Sequence, residues 1–126
     1  MQAIRTIEGA PAPVGAYSAA VKSNGLVFCA GQIALDPESG ELVDGGILAQ
    51  TERVLKNLQA VLAGSGSDFS KVVMTTIFLA EASDSKVVNE LYGEVVSGDN
   101  PPARQTVAVK ALPLGALVEI SVIAEA

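Results

Sequence analysis

Three stretches of this chain are apolar at almost every position: Leu26–Leu35 (LVFCAGQIAL), Lys71–Ala80 (KVVMTTIFLA) and Leu117–Ala124 (LVEISVIA). A strand with one solvated face alternates apolar and polar residues, whereas a strand apolar at both parities is covered on both faces. The chain offers only two amphipathic helices to supply that cover. In the first, over 46–63, Ile47, Leu48, Thr51, Val54, Leu55, Leu58, Val61 and Leu62 recur at three- and four-residue steps. Glu52, Arg53, Lys56 and Gln59 lie between them, and Gly64 is a natural stop. In the second, over 85–96, Val87, Val88, Leu91, Tyr92 and Val95 form one stripe; Gly98 and Asn100-Pro101-Pro102 end it. Two such helices cover one face of a sheet. The other face is too large and too apolar to meet water, so it meets copies of the same chain.

The remaining elements follow from turn chemistry. Asn24-Gly25 between two apolar runs is a two-residue hairpin turn. Asp36–Glu41, with Pro37 and Gly40, is a solvated loop and not a metal loop. Strands are expected at 104–110 and, less strongly marked, at 3–7. The order is β-β-β-α-β-α-β-β, an α+β fold with a single mixed six-stranded sheet and two helices on one face. At 126 residues and 12.8 kDa the chain is expected to form one domain, 1–126.

Composition removes several classes of function. A net charge of −6 and a pI near 4.5 argue against a nucleic-acid partner. No apolar run reaches membrane-spanning length and the N-terminus lacks a signal-peptide core, so a soluble, cytoplasmic protein without a membrane partner is expected. There is no histidine, and Cys29 stands alone. Neither a Ser-His-Asp nor a Cys-His site can be built within the chain, and no zinc site of the usual kinds, so no metal is expected. Cys29, mid-strand among apolar neighbours, reads as a buried inert thiol. Ser83-Asp84-Ser85-Lys86 matches a bare Ser-x-x-Lys pattern but lies where a helix starts and reads as its N-cap. Gly64-Ser65-Gly66-Ser67 reads as a helix stop and loop.

The stretch NPPARQTVAVK (100–110) carries the most informative charge. By alternation, Gln105, Val107 and Val109 share one side of the strand and Arg104, Thr106 and Ala108 the other. In the last strand Val118, Ile120 and Val122 oppose Glu119 and Ser121. Assigning the apolar rows to the helix-covered core puts Arg104, Thr106, Glu119 and Ser121 together on the second face, among the subunit contacts. Two readings remain open from the residues alone. Arg104 and Glu119 form a structural ion pair, or Arg104 grips an anionic substrate with its planar fork while Glu119 handles water or a proton. Tyr17 is equally open between packing and site.

The blocks APAPVGAYSAAV, LVFCAGQIALDPESGELV, QTERVLKNLQAVL, VVMTTIFLA, NPPARQTVAVKALP and VEISVIA together resemble the reactive intermediate deaminases (Rid, or YjgF-type) almost end to end. The resemblance implies a chorismate-mutase-like α+β fold and a homotrimer whose sheets face a central barrel, with clefts at the subunit interfaces. It implies hydrolysis of 2-aminoacrylate, 2-iminopropanoate and 2-iminobutanoate to 2-oxo acids and ammonia, with no cofactor. Arg104 matches the carboxylate clamp, Glu119 the water-positioning glutamate, and Tyr17 a tyrosine lining the cleft. Gly31 and Thr106 match positions of main-chain contact. Ala30 stands where many members carry serine, and Thr106 where some carry cysteine. The same clamp would also suit a non-catalytic carboxylate-binding or chaperone-like trimer, and some relatives bear the label of ribonuclease or translation inhibitor.

Overall fold

The computed structural model describes residues 1–96 and 98–126. Its strands are β1 (Gln2–Ile4), β2 (Ala20–Ser23), β3 (Leu26–Gln32), β4 (Val72–Leu79), β5 (Ala103–Ala108) and β6 (Val118–Glu125). Helix α1 (Gly46–Gly64) joins β3 to β4, and α2 (Ser85–Val95) joins β4 to β5. All six strands form one sheet in the order β1-β2-β3-β6-β4-β5, antiparallel throughout except for the parallel β4–β5 pair. Parallel neighbours need a crossover, and α2 is that crossover. The β2–β3 hairpin turns through Asn24 and Gly25, both at positive φ (51° and 77°), the geometry that matches the twist of the flanking strands.

The helices lie on one face, as the sequence pattern requires. Val27 and Cys29 of β3, Ile77 and Leu79 of β4, and Val118, Ile120, Val122 and Ala124 of β6 meet Val54, Leu58, Val61 and Leu62 of α1 and Val88 and Tyr92 of α2. At roughly 2 kcal/mol for each fully buried aliphatic side chain, this single layer is the main source of stability. Asn57 of α1, fully buried within it, donates from Nδ2 to the carbonyls of Leu35 (3.0 Å) and Ile33 (3.3 Å), and its Oδ1 accepts from Arg53 Nε (3.0 Å). It therefore fixes the chain as it leaves β3. Gln50 does the same for the start of β6, its Oε1 accepting from the Leu117 N–H at 2.9 Å.

The opposite face has no cover. Phe28, Ile123 and Met74 lie side by side across β3, β6 and β4, and Glu119, Phe78 and Val107 form a second row across β6, β4 and β5. Phe28 is 41% exposed and Val107 46%. Among the described residues no helix is long and apolar enough to cross a membrane.

Two expectations need correction. The first is the start of α2: Asp84 stands at the N-cap position, as expected, but its side chain makes no capping bond, because the 3-10 turn Ala82–Asp84 runs directly into the helix. The second is the facing of β5. Arg104 pairs with Thr75 and Thr106 with Ile77, and Thr75 and Ile77 belong to the buried, helix-side row of β4. Arg104 and Thr106 therefore stand on the helix side, opposite to Glu119 and Ser121. The apolar row of β5, with Val107, faces outward: on this edge strand hydrophobicity marks the uncovered face and not the core.

Because Asn57 satisfies two buried carbonyls and an arginine, Asn57→Ala leaves all three without their partner. We expect a loss of about 3 kcal/mol in urea unfolding at fixed protomer concentration. A change below about 1 kcal/mol would contradict the anchoring role.

Candidate functional site

Two cavities hold the residues singled out from the sequence. The larger, about 640 Å³, is walled by the 11–17 segment, the 113–114 turn and the end of β3, with Glu119 among its lining residues. Tyr17, Ala30 and Gly31 line it as well. A register shift in the β3–β6 pairing between Cys29 and Gln32 frames Ala30 and Gly31, so the strand bulges where the cavity opens. A Cβ on Gly31 would sit 2.8 Å from Glu119 Oε2, so only glycine lets the carboxylate lie against this backbone. Glu119 is half-buried among largely apolar walls, and that burial raises its pKa above the ordinary carboxylate value. A carboxylate so placed is a better proton acceptor than one in water.

Tyr17 is held by Arg5, which no motif or periodicity marks. Arg5 donates from Nη1 to the Tyr17 carbonyl at 2.6 Å and from both Nη atoms to the Gly15 carbonyl at 3.3 Å. The Tyr17 hydroxyl accepts from the Val14 N–H at 3.4 Å. Nothing in the local pattern of AIRTIE announces this contact across ten to twelve residues.

The smaller cavity, about 280 Å³, lies between α2 and the sheet edge and is lined by Arg104, Thr106, Lys86 and Asn89 among others. The Arg104 guanidinium stacks over the Tyr92 ring at 5.1 Å, and its Nη1 donates to Asn89 Oδ1 at 2.7 Å. Tyr92 is itself fixed, its buried hydroxyl donating to Thr75 Oγ1 at 2.8 Å. The arginine is thus held in one orientation, and among the described residues its side chain bonds only Asn89. Asn89 and Tyr92 lie three apart on one helix face, the one local signal that points to Asn89.

The structure therefore brings Tyr17, Ala30, Gly31 and Glu119 together and sets Arg104 and Thr106 apart from them, in a cavity that shares none of their residues. No Arg104–Glu119 ion pair forms within the protomer; the partners of Arg104 are Asn89 and Tyr92. Cys29 is buried, and burial pushes its thiol up to about 12, which leaves it unreactive at neutral pH as expected.

Comparison with known proteins agrees over nearly the whole chain. The family model described as endoribonuclease L-PSP matches residues 7–126. Protein DfrA of Myxococcus xanthus is 53% identical over 91% of this chain and 88% of its own length. The 2-iminobutanoate/2-iminopropanoate deaminase of Rattus norvegicus is 46% identical over 91% and 83%. The solved structure of RidA from the Antarctic bacterium Psychrobacter sp. PAMC 21119 superposes with a TM-score of 0.92 at 40% identity, covering 100% of both chains.

The raised pKa of Glu119 has a definite sign in stability. The folded state favours its protonated form, so its contribution is fully present below the unfolded value, near 4.5, and is lost as pH rises through the folded value. Glu119→Gln removes that loss. The variant should melt above wild type at pH 7, with the gap closing as pH falls below 4.5. Thermal melts across this range test it, and a gap independent of pH would contradict the burial effect.

Proposed function

As a member of the Rid (YjgF) family, this chain acts, we propose, as a hydrolytic deaminase of small 2-imino acids and their enamine tautomers, 2-aminoacrylate, 2-iminopropanoate and 2-iminobutanoate among them. The observation that carries the reading is the division of the site. One protomer has an oriented cation on one sheet edge and a half-buried carboxylate in a separate cavity, and it leaves an apolar sheet face uncovered. A homotrimer that covers this face, its sheets around a central barrel, sets the Arg104 edge of one protomer against the Glu119 cavity of the next.

In such a cleft the Arg104 fork holds the substrate carboxylate, and Asn89 and Tyr92 keep the fork in place. Thr106 on the same strand lines the Arg104 side, and Tyr17, Ala30 and Gly31 form the opposite wall. Glu119 orients a water molecule toward the imine carbon and accepts its proton as the C–O bond forms. The C=N π electrons move to nitrogen, which takes that proton back from Glu119 and gives a neutral carbinolamine. Glu119 then removes the carbinolamine hydroxyl proton and passes it to nitrogen; the C–N bond breaks, ammonia leaves, and the C=O of the 2-oxo acid forms. The imine carbon is already electrophilic, so orientation and one proton acceptor suffice. Alanine at position 30 offers no hydroxyl to the substrate, so these main-chain and carboxylate contacts carry its orientation. The endoribonuclease of the family description has little support here, because the chain carries a net charge of −6 and no histidine.

The test generates the imine in situ with an amino-acid oxidase and times its loss against trapping by semicarbazide. Wild type should accelerate 2-oxo acid formation. Arg104→Ala and Glu119→Gln should each lower the acceleration by about 100-fold or more. If wild type leaves the spontaneous rate unchanged over several imines, the deaminase reading falls and a carboxylate-binding trimer replaces it.

A further inference from the structure

The chain has only 8 lysines and arginines against 14 acidic residues, yet two of those cations, Arg104 and Lys86, line one cavity of about 280 Å³. Its other lining residues are Ile77, Ser85, Val88, Asn89 and Thr106, with no Asp or Glu. The placement follows from α2. Asn89 touches the Arg104 guanidinium, and Lys86 lies three residues before Asn89, one turn toward the helix start on the same face. The cavity that both cations line is large enough for a small acid of a few carbons. Two like charges sharing a small cavity without a carboxylate repel each other, and an anion relieves that repulsion. A single carboxylate occupies the Arg104 fork. A second one, two or three carbons away on the same molecule, would meet the lysine.

From this geometry we infer that Lys86 is a specificity-determining residue that directs the Arg104 site toward small dicarboxylic acids, and hence, on the deaminase reading above, toward imino acids with an acidic side chain. The ammonium is a compact charge on a flexible stem, suited to reaching a second carboxylate of variable position, while the arginine fixes the first. A monocarboxylic imino acid uses Arg104 alone and is indifferent to Lys86. The class of reaction that supplies such a substrate is the oxidation of an acidic amino acid or the dehydration of its 3-hydroxy derivative.

Binding is measured first, because it needs no turnover. Succinate and butanoate match in chain length and differ in charge, and both are titrated calorimetrically into the intact protein at low salt. Wild type should bind succinate about tenfold more tightly than butanoate. Lys86→Met should bring succinate to the butanoate level without changing butanoate affinity, and Lys86→Glu should reverse the preference; Lys86 is exposed, so neither change threatens the fold. In the kinetic arm, 2-iminosuccinate and 2-iminobutanoate are generated in situ, and Lys86→Met should lower the ratio of their kcat/KM values about tenfold. Equal affinity of wild type for the two acids, or equal effects of Lys86→Met on both, overturns the inference. Turnover of imines with no change of preference in the variants sinks the role of Lys86 and leaves the deaminase intact. A succinate preference that depends on Lys86 in a protein without turnover keeps the dicarboxylate site and removes the deaminase.

Discussion

Helices α1 and α2 bury one face of the sheet and leave the other, with Phe28, Met74, Phe78, Val107 and Ile123, without a cover. Every other feature of this molecule is arranged around that imbalance. A lone protomer would hold this apolar surface in water, and self-association of the kind proposed above would bury it. The proposed trimer would also account for the placing of the two charges: Glu119 and Arg104 occupy two cavities that share no residue, so neither cavity alone holds both the arginine and the carboxylate.

Each half is organised before it meets the other. On the α2 side, Thr75, Tyr92 and Asn89 form a chain of contacts that fixes a side chain with many rotamers at the exposed edge of a sheet. That fixing removes conformational entropy ahead of binding. On the β6 side, the bulge at Ala30-Gly31 lets the backbone approach the Glu119 carboxylate more closely than any side chain would allow. Arg5 holds the turn that presents Tyr17. The rigid layer beneath, anchored by Asn57 and Gln50, ties both half-sites to one core.

The architecture was readable in the residues wherever burial imposes a period. The 3.6-residue stripes of α1 and α2, the Asn24-Gly25 turn and the apolar rows of β6 all met a covered face on one side and a different environment on the other. The facing of β5 was not readable, because all six of its residues are exposed in the protomer and its alternation has no inside to report. Its true facing is set by the parallel register Thr75↔Arg104, a long-range pairing that no local pattern encodes. Asn89 and Arg5 escaped for the same reason: each bonds a residue that the fold brings to it. Glu119, Tyr17, Ala30 and Gly31 line one cavity, and it was the family resemblance, not the strand pattern, that pointed to Tyr17, Ala30 and Gly31.

The division of the site between neighbouring protomers is tested most directly by mixing two inactive variants. Arg104→Ala keeps its Glu119 cavity and Glu119→Gln keeps its arginine edge. Unfolded together in equal amounts and refolded, they should, on the proposed reading, form mixed trimers in which each site draws its arginine from one subunit and its glutamate from the next. Random assembly then makes about a quarter of the sites fully native, and about a quarter of the wild-type imine-hydrolysis rate should return. Mixed trimers confirmed by mass that stay as inactive as either parent would contradict a site built from two subunits.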